Sequence, residues 1–597
     1  MAAVKMRSSR MLWLMVRFII ICLLCSVFTW FGIERMGLKG LLYGTDDANI
    51  FFVYAKNLSQ GHGFVYNIGA EKVEGFTSLL WVLIASVAFS ISSNPECFLL
   101  IVNVCLLSFV LTVLTVYLDE EVKAVNKPYS ISYASLAFLS ITITSPRYIA
   151  WTTFTLMDVG IWSALLVVLT VLLLRIRSVQ QAIPLSVFVF LLLLTRPEAI
   201  LWSPIFIILG GMKVLILHNR KEAFRFVRIP LITYCATVTS LTIFRLYYFG
   251  YPLPNTYYAK VSPNVFYNIV QGVSYFINYA LLSNAWASLA ILCSGTLAVF
   301  IGLDLWNTYR SASMSSLSIK TLNSCIIILV TWSGLFIPVI NGGDHFGSSR
   351  FYQVIHPILV LNIICLIMYL VEQSDHERSS RYFSSFSHRS ARLLLLWSIV
   401  LLFPLMSQNV LWLHLKDSSD ILIDFEIAAE GRKLGKVMTE LFAELPEYPR
   451  VGVVNAGGEK VAYKGPMFDL LGLNNTAMGH SQGDRKGIKN HAAFDKNVFF
   501  AFPPEIVAPT IDSLEQHPFQ YDSMKLSQSW NNQKFLKGLY DDSRFKQIYQ
   551  FVRISIDSSN THQAITGFCH QNFLSYILRN RYYRVEFAER APLPYQR

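Results

Sequence analysis

Two adjacent carboxylates, Asp46 and Asp47, follow the first long apolar run and precede the aromatic run Phe51-Phe52-Val53-Tyr54. Ionised side chains beside a membrane span are costly and are retained mainly where they function. A carboxylate accepts a hydroxyl proton at neutral pH, so the pair is a candidate general base. A structural interpretation is also open, because an aspartate can cap the free amides of the helical pattern at 48–58. One aspartate suffices for a cap, and the second predicts a catalytic or cation-binding role.

A second charged group, Arg196-Pro197-Glu198, interrupts an apolar hairpin at 191–202. Arg196 and Glu198 either pair with each other and fix the turn, or Arg196 points into a cavity and binds an anion. Phosphate fits the second interpretation, because the planar guanidinium matches it with two parallel hydrogen bonds. Both interpretations are open from the sequence.

Other polar loops supply further candidates. Asp344 and His345 follow two glycines, where they either bind a metal or phosphate or only cap two spans. His62, between two glycines, is either a loop histidine or a ligand. Lys260 and Arg350 are further candidate cations. The candidates for contact with substrate are Glu74, Glu198, Asn255, Tyr257 and Tyr258. The two tyrosines are also typical of a membrane interface.

The composition requires a membrane. Apolar residues make up 53% of 597 residues, charged residues 15%, and the mean hydropathy is +0.44. The net charge of +12 would suggest nucleic acid in a soluble protein, but the basic residues cluster between apolar runs, as the positive-inside bias predicts. No nucleic-acid partner is expected. Eight of nine cysteines lie in or beside apolar runs, which indicates neither a disulfide framework nor a zinc site.

The fold class predicted is a polytopic α-helical membrane protein with about eleven spans and a C-terminal mixed α/β soluble domain. The apolar runs long enough to span lie at 11–33, 98–118, 131–147, 159–174, 182–195, 199–212, 229–248, 287–303, 321–340, 354–372 and 393–412.

The order of basic loops places the N-terminus in the cytoplasm and both residue 33 and residue 97 outside. The apolar run 76–89 then cannot cross, and it is predicted to be a re-entrant or juxtamembrane segment of an outer loop at 34–97. Residues 1–412 form the predicted transmembrane domain. Residues 413–597 are predicted to form an outer domain, with a helix over 421–442, a strand over 450–454 and a turn at 455–458.

Several motifs resemble the first outer loop of bacterial GT-C glycosyltransferases, and in particular the mycobacterial terminal β-arabinofuranosyltransferase. They are Asp46-Asp47-Ala48, Gly61-His62-Gly63-Phe64-Val65-Tyr66-Asn67 and Val73-Glu74-Gly75-Phe76-Thr77, with Thr195-Arg196-Pro197-Glu198, Pro254-Asn255-Thr256-Tyr257-Tyr258-Ala259-Lys260, Gly342-Gly343-Asp344 and Asp469-Leu470-Leu471-Gly472-Leu473-Asn474 further along.

The resemblance implies a GT-C enzyme of the bacterial inner membrane, with its active site and C-terminal domain facing the periplasm. Its donor would be a polyprenyl-phosphate-linked sugar, arabinofuranose by analogy, transferred with inversion. Asp46 is preferred to Asp47 as the base by the same analogy, and Arg196, Lys260, His345 and Arg350 are the cations available for the donor phosphate. The chain departs from the family at Leu156-Met157-Asp158, where relatives often carry glutamate, and at Asn474-Asn475, where an aspartate is common.

The acceptor expected is an extracytoplasmic glycan, lipopolysaccharide or pilin, because the composition is unlike that of actinobacterial members. No cofactor is required by these residues, although Asp46 and Asp47 could hold a divalent cation. A flippase of lipid-linked sugars is the alternative, but it would need polar residues along a path through the spans. A membrane-anchored polysaccharide-binding protein is a third possibility, which leaves the outer-loop charges without a role.

Overall fold

A computed structural model describes residues 2–40, 42–122, 131–283, 285–310, 319–376, 421–481, 491, 493–513, 519–521, 526–529, 531–556 and 563–590. Ten of the eleven predicted apolar runs coincide with helices, and the eleventh, at 393–412, lies outside the described residues. The mainly helical class with a C-terminal mixed sheet is therefore confirmed.

Five of the described helices are long and apolar enough to cross a membrane, and one bent pair, Gly347–Gln353 with His356–Tyr369, could form a sixth span across its 65° break. The chain is thus a multi-pass membrane protein, while the total of eleven spans stays a prediction. The five helices are Arg10–Arg35, Pro95–Glu121, Ala199–Leu217, Arg220–Phe249 and Ile319–Ile340.

Helix Leu79–Ile91 occupies most of the run predicted to be juxtamembrane. Its 13 residues extend for roughly 20 Å, which is less than the hydrocarbon core of about 30 Å. The length agrees with a segment that does not cross by itself. Its placement at the membrane surface stays a prediction.

The chain divides into two compact units. The first comprises residues 1–42, 96–240 and 264–422, and the second comprises 43–95, 241–263 and 423–597. Helices of the first unit are Ala2–Arg35, Pro95–Glu121, Tyr133–Ile143, Pro146–Thr152, Val159–Arg175, Ala182–Thr195, Ala199–Leu217, Arg220–Phe249, Val265–Ile277, Ala285–Arg310, Ile319–Ile340, Arg350–Gln353 and His356–His376, of which Pro95–Glu121 and Arg220–Phe249 extend across a unit boundary.

The second unit combines the predicted outer loop with the C-terminal part of the chain. Its longest helix, Leu422–Leu441, confirms the helix expected at 421–442. The other helices are Asp46–Ser59, Leu79–Ile91, Asn255–Lys260, Gly458–Ala462, Thr476–Gly479, Lys496–Ala501, Ser543–Ile548 and Gln571–Leu578.

A six-stranded mixed sheet organises the second unit, in the order β2-β1-β3-β6-β5-β7. Strand β1 lies parallel to both β2 and β3, and the remaining pairs are antiparallel. A small parallel pair joins β4 and β8. The strands are β1 (Val451–Val453, as predicted), β2 (Met467–Asp469), β3 (Ile506–Ser513), β4 (Gln520–Tyr521), β5 (Tyr549–Ile556), β6 (Gln563–His570), β7 (Tyr583–Phe587) and β8 (Glu589–Arg590).

An apolar core fixes one side of this sheet. Buried aromatic side chains dominate it, and the rings of Phe545 and Tyr549 stack with centroids 4.5 Å apart. Burying such large apolar surfaces supplies most of the free energy that orders a sheet. The sheet therefore forms a rigid base for the loops at the ends of its strands.

Candidate active site

Asp46 opens helix Asp46–Ser59 and binds a turn that follows strand β1. Its Oδ1 accepts a hydrogen bond from the Gly458 amide at 2.7 Å, and its Oδ2 accepts one from the Gly457 amide at 3.2 Å. Thr45, rather than Asp46, occupies the N-cap position and makes no side-chain capping bond. The capping interpretation of Asp46 is therefore corrected, because its carboxylate satisfies amides of a distant turn instead of those of its own helix.

The turn can approach Asp46 only because it lacks side chains. A Cβ atom at Gly457 would lie 1.9 Å from the carbonyl oxygen of Asp46, which no real contact tolerates. The Tyr66 hydroxyl donates to the Ala456 carbonyl at 2.6 Å, and the Lys56 ammonium donates to the Val461 carbonyl at 3.1 Å. The helix and the turn are thus held together on both sides of the carboxylate.

The environment of Asp46 suits proton transfer. Burial raises the pKa of its carboxyl to about 6, the amides of Gly458 and Gly457 oppose that increase, and the charges of Asp47 and Asp469 add to it. At pH 7 the group is mostly ionised, yet it is far more basic than an ordinary aspartate. A pKa near the working pH is the condition under which general base catalysis is most efficient.

Asp47 has a different environment. Its Oδ2 lies 3.6 Å from the ammonium of Lys260, and each side chain is about one fifth exposed, at 21% and 19%. The catalytic candidate Asp47 and the phosphate-binding candidate Lys260 are thereby brought together. Lys260 lies at the end of the short helix Asn255–Lys260, beside the aspartate pair in the same unit.

The tail motif 469–474 packs against the outer loop. The buried Asp469 carboxylate accepts hydrogen bonds from the Leu471 amide and from the backbone and side-chain nitrogens of Asn474, at 2.8–2.9 Å. The Asn474 Oδ1 in turn accepts from the Tyr54 hydroxyl at 3.1 Å. Asn474 therefore has a structural role, connecting the tail motif to helix Asp46–Ser59.

Asn255 and Glu74, which were predicted to bind substrate, form hydrogen bonds and an ion pair with other residues of the protein. The Asn255 side chain donates to the carbonyls of Gly472 and Leu473 at 2.7 and 3.0 Å, and its backbone amide donates to the Glu74 carbonyl. The Glu74 carboxylate forms a bidentate ion pair with Arg245, with the shortest distance at 2.9 Å. Both residues fix the loops around the site, and their contact with substrate stays a prediction.

The aromatic candidates form one cluster with a histidine of the tail. The His480 ring packs against both Tyr251 and Tyr258, with ring centroids 4.0 Å from each, and the two tyrosine centroids are 5.8 Å apart. Tyr257 packs edge-on against Tyr258 and is 48% exposed. The His62 side chain is exposed, and its contact with substrate stays a prediction.

The first unit holds the Arg196 candidate in a separate cluster. The Arg196 guanidinium contacts Asp158 at 3.0 and 3.2 Å and Glu198 at 3.0 and 3.2 Å. The predicted pair of Arg196 with Glu198 is present, and Asp158 is an additional partner. Asp158 is fully buried, so its charge depends on that guanidinium for compensation.

Arg350 forms the second ion pair of this cluster. Its Nε donates to Asp344 at 2.7 Å, and the His345 ring lies 3.3 Å from the same carboxylate. Arg196 and Arg350 line one cavity, together with Glu198, Asn341, Trp162 and Trp202. The structure thus brings together three of the predicted polar groups, Arg196, Glu198 and Arg350, around a common space.

The charge balance of this cluster limits its chemistry. Two guanidinium groups face three carboxylates, those of Asp158, Glu198 and Asp344, all with at most 14% side-chain exposure. A phosphate would have to compete with carboxylates for both arginines. Within the described ranges, no group of three or more His, Cys, Asp or Glu side chains could hold a metal ion.

Three residues of these two clusters, Asp158, Gly457 and Gly458, were not predicted as site residues from the sequence. Asp158 was noted only as a departure from a family motif, and nothing marked Gly457 and Gly458 as partners of a carboxylate. The available signal was the pair of glycines in Asn455-Ala456-Gly457-Gly458, which predicted a turn. A turn made of two adjacent glycines also permits close approach by another chain segment.

Comparisons with known proteins give little help. No protein-family model and no curated protein matches the chain. A crystal structure of the oligosaccharyltransferase of Archaeoglobus fulgidus, with zinc and sulfate, aligns with 92% of this chain and 73% of its own, at 10% sequence identity and a TM-score of 0.45. A likeness at this level supports no conclusion about fold or activity. The fold and site define a multi-pass helical membrane protein with a mixed α/β region.

Proposed function

We propose that the protein is a GT-C type glycosyltransferase that moves a sugar from a polyprenyl-phosphate donor to an extracytoplasmic glycan or glycoprotein. The observation that carries the proposal is the Asp46 carboxylate, held by the amides of Gly457 and Gly458 with a pKa of about 6. A group with these properties accepts a proton from a sugar hydroxyl at neutral pH. The motif resemblance supplies the reaction class.

The reaction is a single displacement with inversion. The acceptor hydroxyl oxygen forms a bond to the anomeric carbon of the donor while Asp46 takes the hydroxyl proton. The bond from that carbon to the phosphate oxygen breaks, and its electron pair leaves with the polyprenyl phosphate. No cofactor is needed to balance this step.

Lys260 is the cation that we place at the leaving phosphate. Its ammonium lies 3.6 Å from a carboxylate oxygen of Asp47, in the same unit as Asp46. A weakly held ammonium can move toward a developing phosphate charge and stabilise it. Arg196, His345 and Arg350 keep their predicted phosphate-binding role as a further part of the proposal, although each lies beside a carboxylate.

The sugar proposed is arabinofuranose, which rests on the motif resemblance alone. The same resemblance proposes the inner membrane as the location and a periplasmic orientation for the site. A lipid-phosphate donor fits that orientation, because nucleotide sugars are absent from the periplasm. No phosphate-cradling glycine-rich motif for a nucleotide occurs in the sequence.

The test is a transfer assay with the full chain in lipid nanodiscs. The donor is radiolabelled polyprenyl-phosphoryl arabinofuranose, and the acceptors are a panel of soluble oligosaccharides and a deacylated lipopolysaccharide. We expect a labelled product whose anomeric configuration, read by NMR, is opposite to that of the donor. Wild-type turnover in Asp46→Asn, or a product that retains the donor configuration, would contradict the mechanism. Movement of intact donor across the bilayer without transfer would favour the flippase.

A further inference from the structure

A cavity of about 520 Å³ opens in the second unit, at the end of strand β1 and along the middle of strand β3. Its volume falls in the range of small-molecule pockets, about 300–1,000 Å³. Residues that follow β1 form one wall, residues of β3 form the opposite wall, and helix Leu422–Leu441 closes a third side. All of these elements belong to one compact unit.

The cavity exists because β1 and β3 separate. They pair at Val451 with Ile506 and at Gly452 with Val507, and the pairing stops there. The next residue of β3, Ala508, has a φ of 49°, and Pro509 has no amide hydrogen to donate. The register of β3 with β6 also shifts between Val507 and Thr510. Strand β3 is thus irregular at the position where the cavity begins.

The topology makes this gap a preferred place for a ligand. Strand β1 is followed by β2 on one side and has β3 on its other side, and both neighbours are parallel to it. The cavity lies beyond the last residue of β1 and against residues 508–511 in the middle of β3. Ligands of open α/β sheets bind beyond the carboxyl ends of parallel strands, which is where β1 ends.

One buried group in the wall lacks a partner. The Glu459 Oε2 atom is inaccessible to solvent and makes no hydrogen bond to any described residue. Burial raises the pKa of this carboxyl well above its ordinary range, and the charge of Asp46 adds to the increase. Burial therefore favours the protonated form of this carboxyl, which can donate a hydrogen bond as well as accept one.

We infer that this cavity binds a neutral saccharide, the acceptor glycan of the transfer reaction. The lining combines the polar side chains of Glu459, Asn455 and Thr510 with the apolar surfaces of Leu434, Leu470 and Tyr540. The Thr510 hydroxyl also forms a hydrogen bond with that of Thr566 at 2.8 Å. Sugars present alternating hydroxyl groups and apolar C–H faces, which match this mixture. The cavity and its lining are features of the structure. The assignment of its ligand as the acceptor glycan rests on the proposed function.

Charge distinguishes this ligand from an anionic one. Lys433 and Glu430 are exposed at the entrance and offset each other, and the interior contributes no net charge when Glu459 is protonated. A phosphate or nucleotide would require an excess of cations or a row of free amides. The lining described provides one cation, and it lies at the rim.

The cavity adjoins the proposed base through a short connection. Glu459 follows directly after Gly457 and Gly458, whose amides hold the Asp46 carboxylate. A saccharide bound against Glu459 would therefore have a neighbouring sugar unit next to Asp46. The cavity thus predicts specificity for an acceptor of more than one sugar.

The test compares a cavity-filling variant with a matched control in the full chain, purified in detergent. Ala508→Trp places an indole in the cavity from an exposed alanine in its wall, whereas Ala443→Trp adds the same side chain at an exposed alanine outside it. Binding is measured on an array of neutral oligosaccharides of three to six furanose or pyranose units. The acceptor KM and kcat are measured in the transfer assay, and thermal unfolding verifies that each variant is folded.

We expect the wild type and Ala443→Trp to retain the same oligosaccharides, and Ala508→Trp to lose them at least tenfold. Asp46→Asn should still bind, since Asp46 does not line the cavity, while it loses turnover. Equal retention by a folded Ala508→Trp, or retention of no array member by the wild type, would overturn the inference. If Ala508→Trp fails to fold, Glu459→Gln and Asn455→Ala replace it, with the same tenfold loss expected. An unchanged acceptor KM in Ala508→Trp would contradict the acceptor site in the cavity and leave the proposed function intact. An absence of transfer by the wild type would contradict the proposed function alone.

Discussion

The two charged clusters use their carboxylates differently. In the second unit, Asp46 accepts hydrogen bonds from two backbone amides, and its neighbour Asp47 meets Lys260 at 3.6 Å. In the first unit, Arg196 contacts two carboxylates at 3.0 Å, and Arg350 contacts Asp344 at 2.7 Å. Amides hold a carboxylate without supplying a full opposite charge, whereas guanidinium groups neutralise it.

The difference indicates which cluster can change its protonation. A carboxylate paired with a buried guanidinium cannot lose its charge without leaving that cation uncompensated. Asp46 is under no such constraint, and its pKa of about 6 lies close to neutral pH. We therefore propose that proton transfer takes place in the second unit, whereas Arg196 and Arg350 of the first unit, which are also proposed to bind phosphate, already compensate buried carboxylates.

The largest effect is expected for Asp46→Asn, which keeps the shape of the side chain and removes its basicity. We expect kcat to fall about a thousandfold, the middle of the range for loss of a general base. Asp469→Asn is not a suitable control, because that carboxylate organises the tail motif. Asp541→Asn, in the same unit, is the control expected to retain activity, and turnover is compared at pH 7.5.

Arg196→Leu tests the structural role of the first cluster. It leaves the buried Asp158 without its cation, which should cost about 3 kcal/mol of unfolding free energy. The double variant Arg196→Leu/Asp158→Leu should recover much of that loss. Thermal or denaturant unfolding in nanodiscs measures both. A stable Arg196→Leu with a donor KM raised tenfold or more would instead make Arg196 a phosphate ligand.

Gly457→Ala tests how closely Asp46 must be held. The new Cβ would lie 1.9 Å from the Asp46 carbonyl oxygen and so displace the turn. A displacement of about 1 Å in a catalytic group costs roughly a hundredfold in rate. We expect that loss in kcat, with Gly465→Ala in a neighbouring loop as a comparison for unfolding. Full activity in Gly457→Ala would show that the amides do not position the base.

The pH dependence should identify Asp46 directly. A base with a pKa of about 6 is ionised above that value and protonated below it. The kcat/KM should therefore reach a plateau above about pH 7 and fall about tenfold per unit below about pH 6. The residual activity of Asp46→Asn should lack this acidic limb. An acidic limb that persists in the pH profile of Asp46→Asn would show that a titratable group other than Asp46 causes it.

The smallest effect is expected for the partly exposed pair of Asp47 and Lys260. Such pairs contribute about 0–1 kcal/mol to stability, so Asp47→Asn should change the unfolding free energy by less than 1 kcal/mol. Asp47 also raises the pKa of Asp46 through its charge. Its removal should move the acidic limb to a lower pH, which the same rate profile measures. A shift to higher pH would contradict this coupling.

The helices could be predicted from the sequence, because long apolar runs have few alternatives to a helix in a bilayer. The strand at 451–453 and the helix at 422–441 were also predicted, from a short apolar run and from helical periodicity. These are local properties, so a single sequence contains them. The functional assignment of Asp46, Asp47 and the other candidates stays a prediction.

Non-local contacts could not be predicted. Asp46 and Gly458 are separated by 412 positions, and no periodicity connects an aspartate to a distant amide. The cavity depends on Ala508, which adopts a conformation that sequence rules assign to glycine. Asp158 differs from the glutamate that the resembling family often carries, and its pairing with Arg196 depends on how two helix ends meet.

The contact between Asp46 and the glycine turn has a consequence for biosynthesis. Asp46 leaves the ribosome early, whereas the amides that orient it are made 411 and 412 residues later. A nascent or truncated chain that ends before residue 457 can insert its early helices but has no oriented base. If Asp46 is the base that we propose, activity begins only after the C-terminal part has been synthesised and folded.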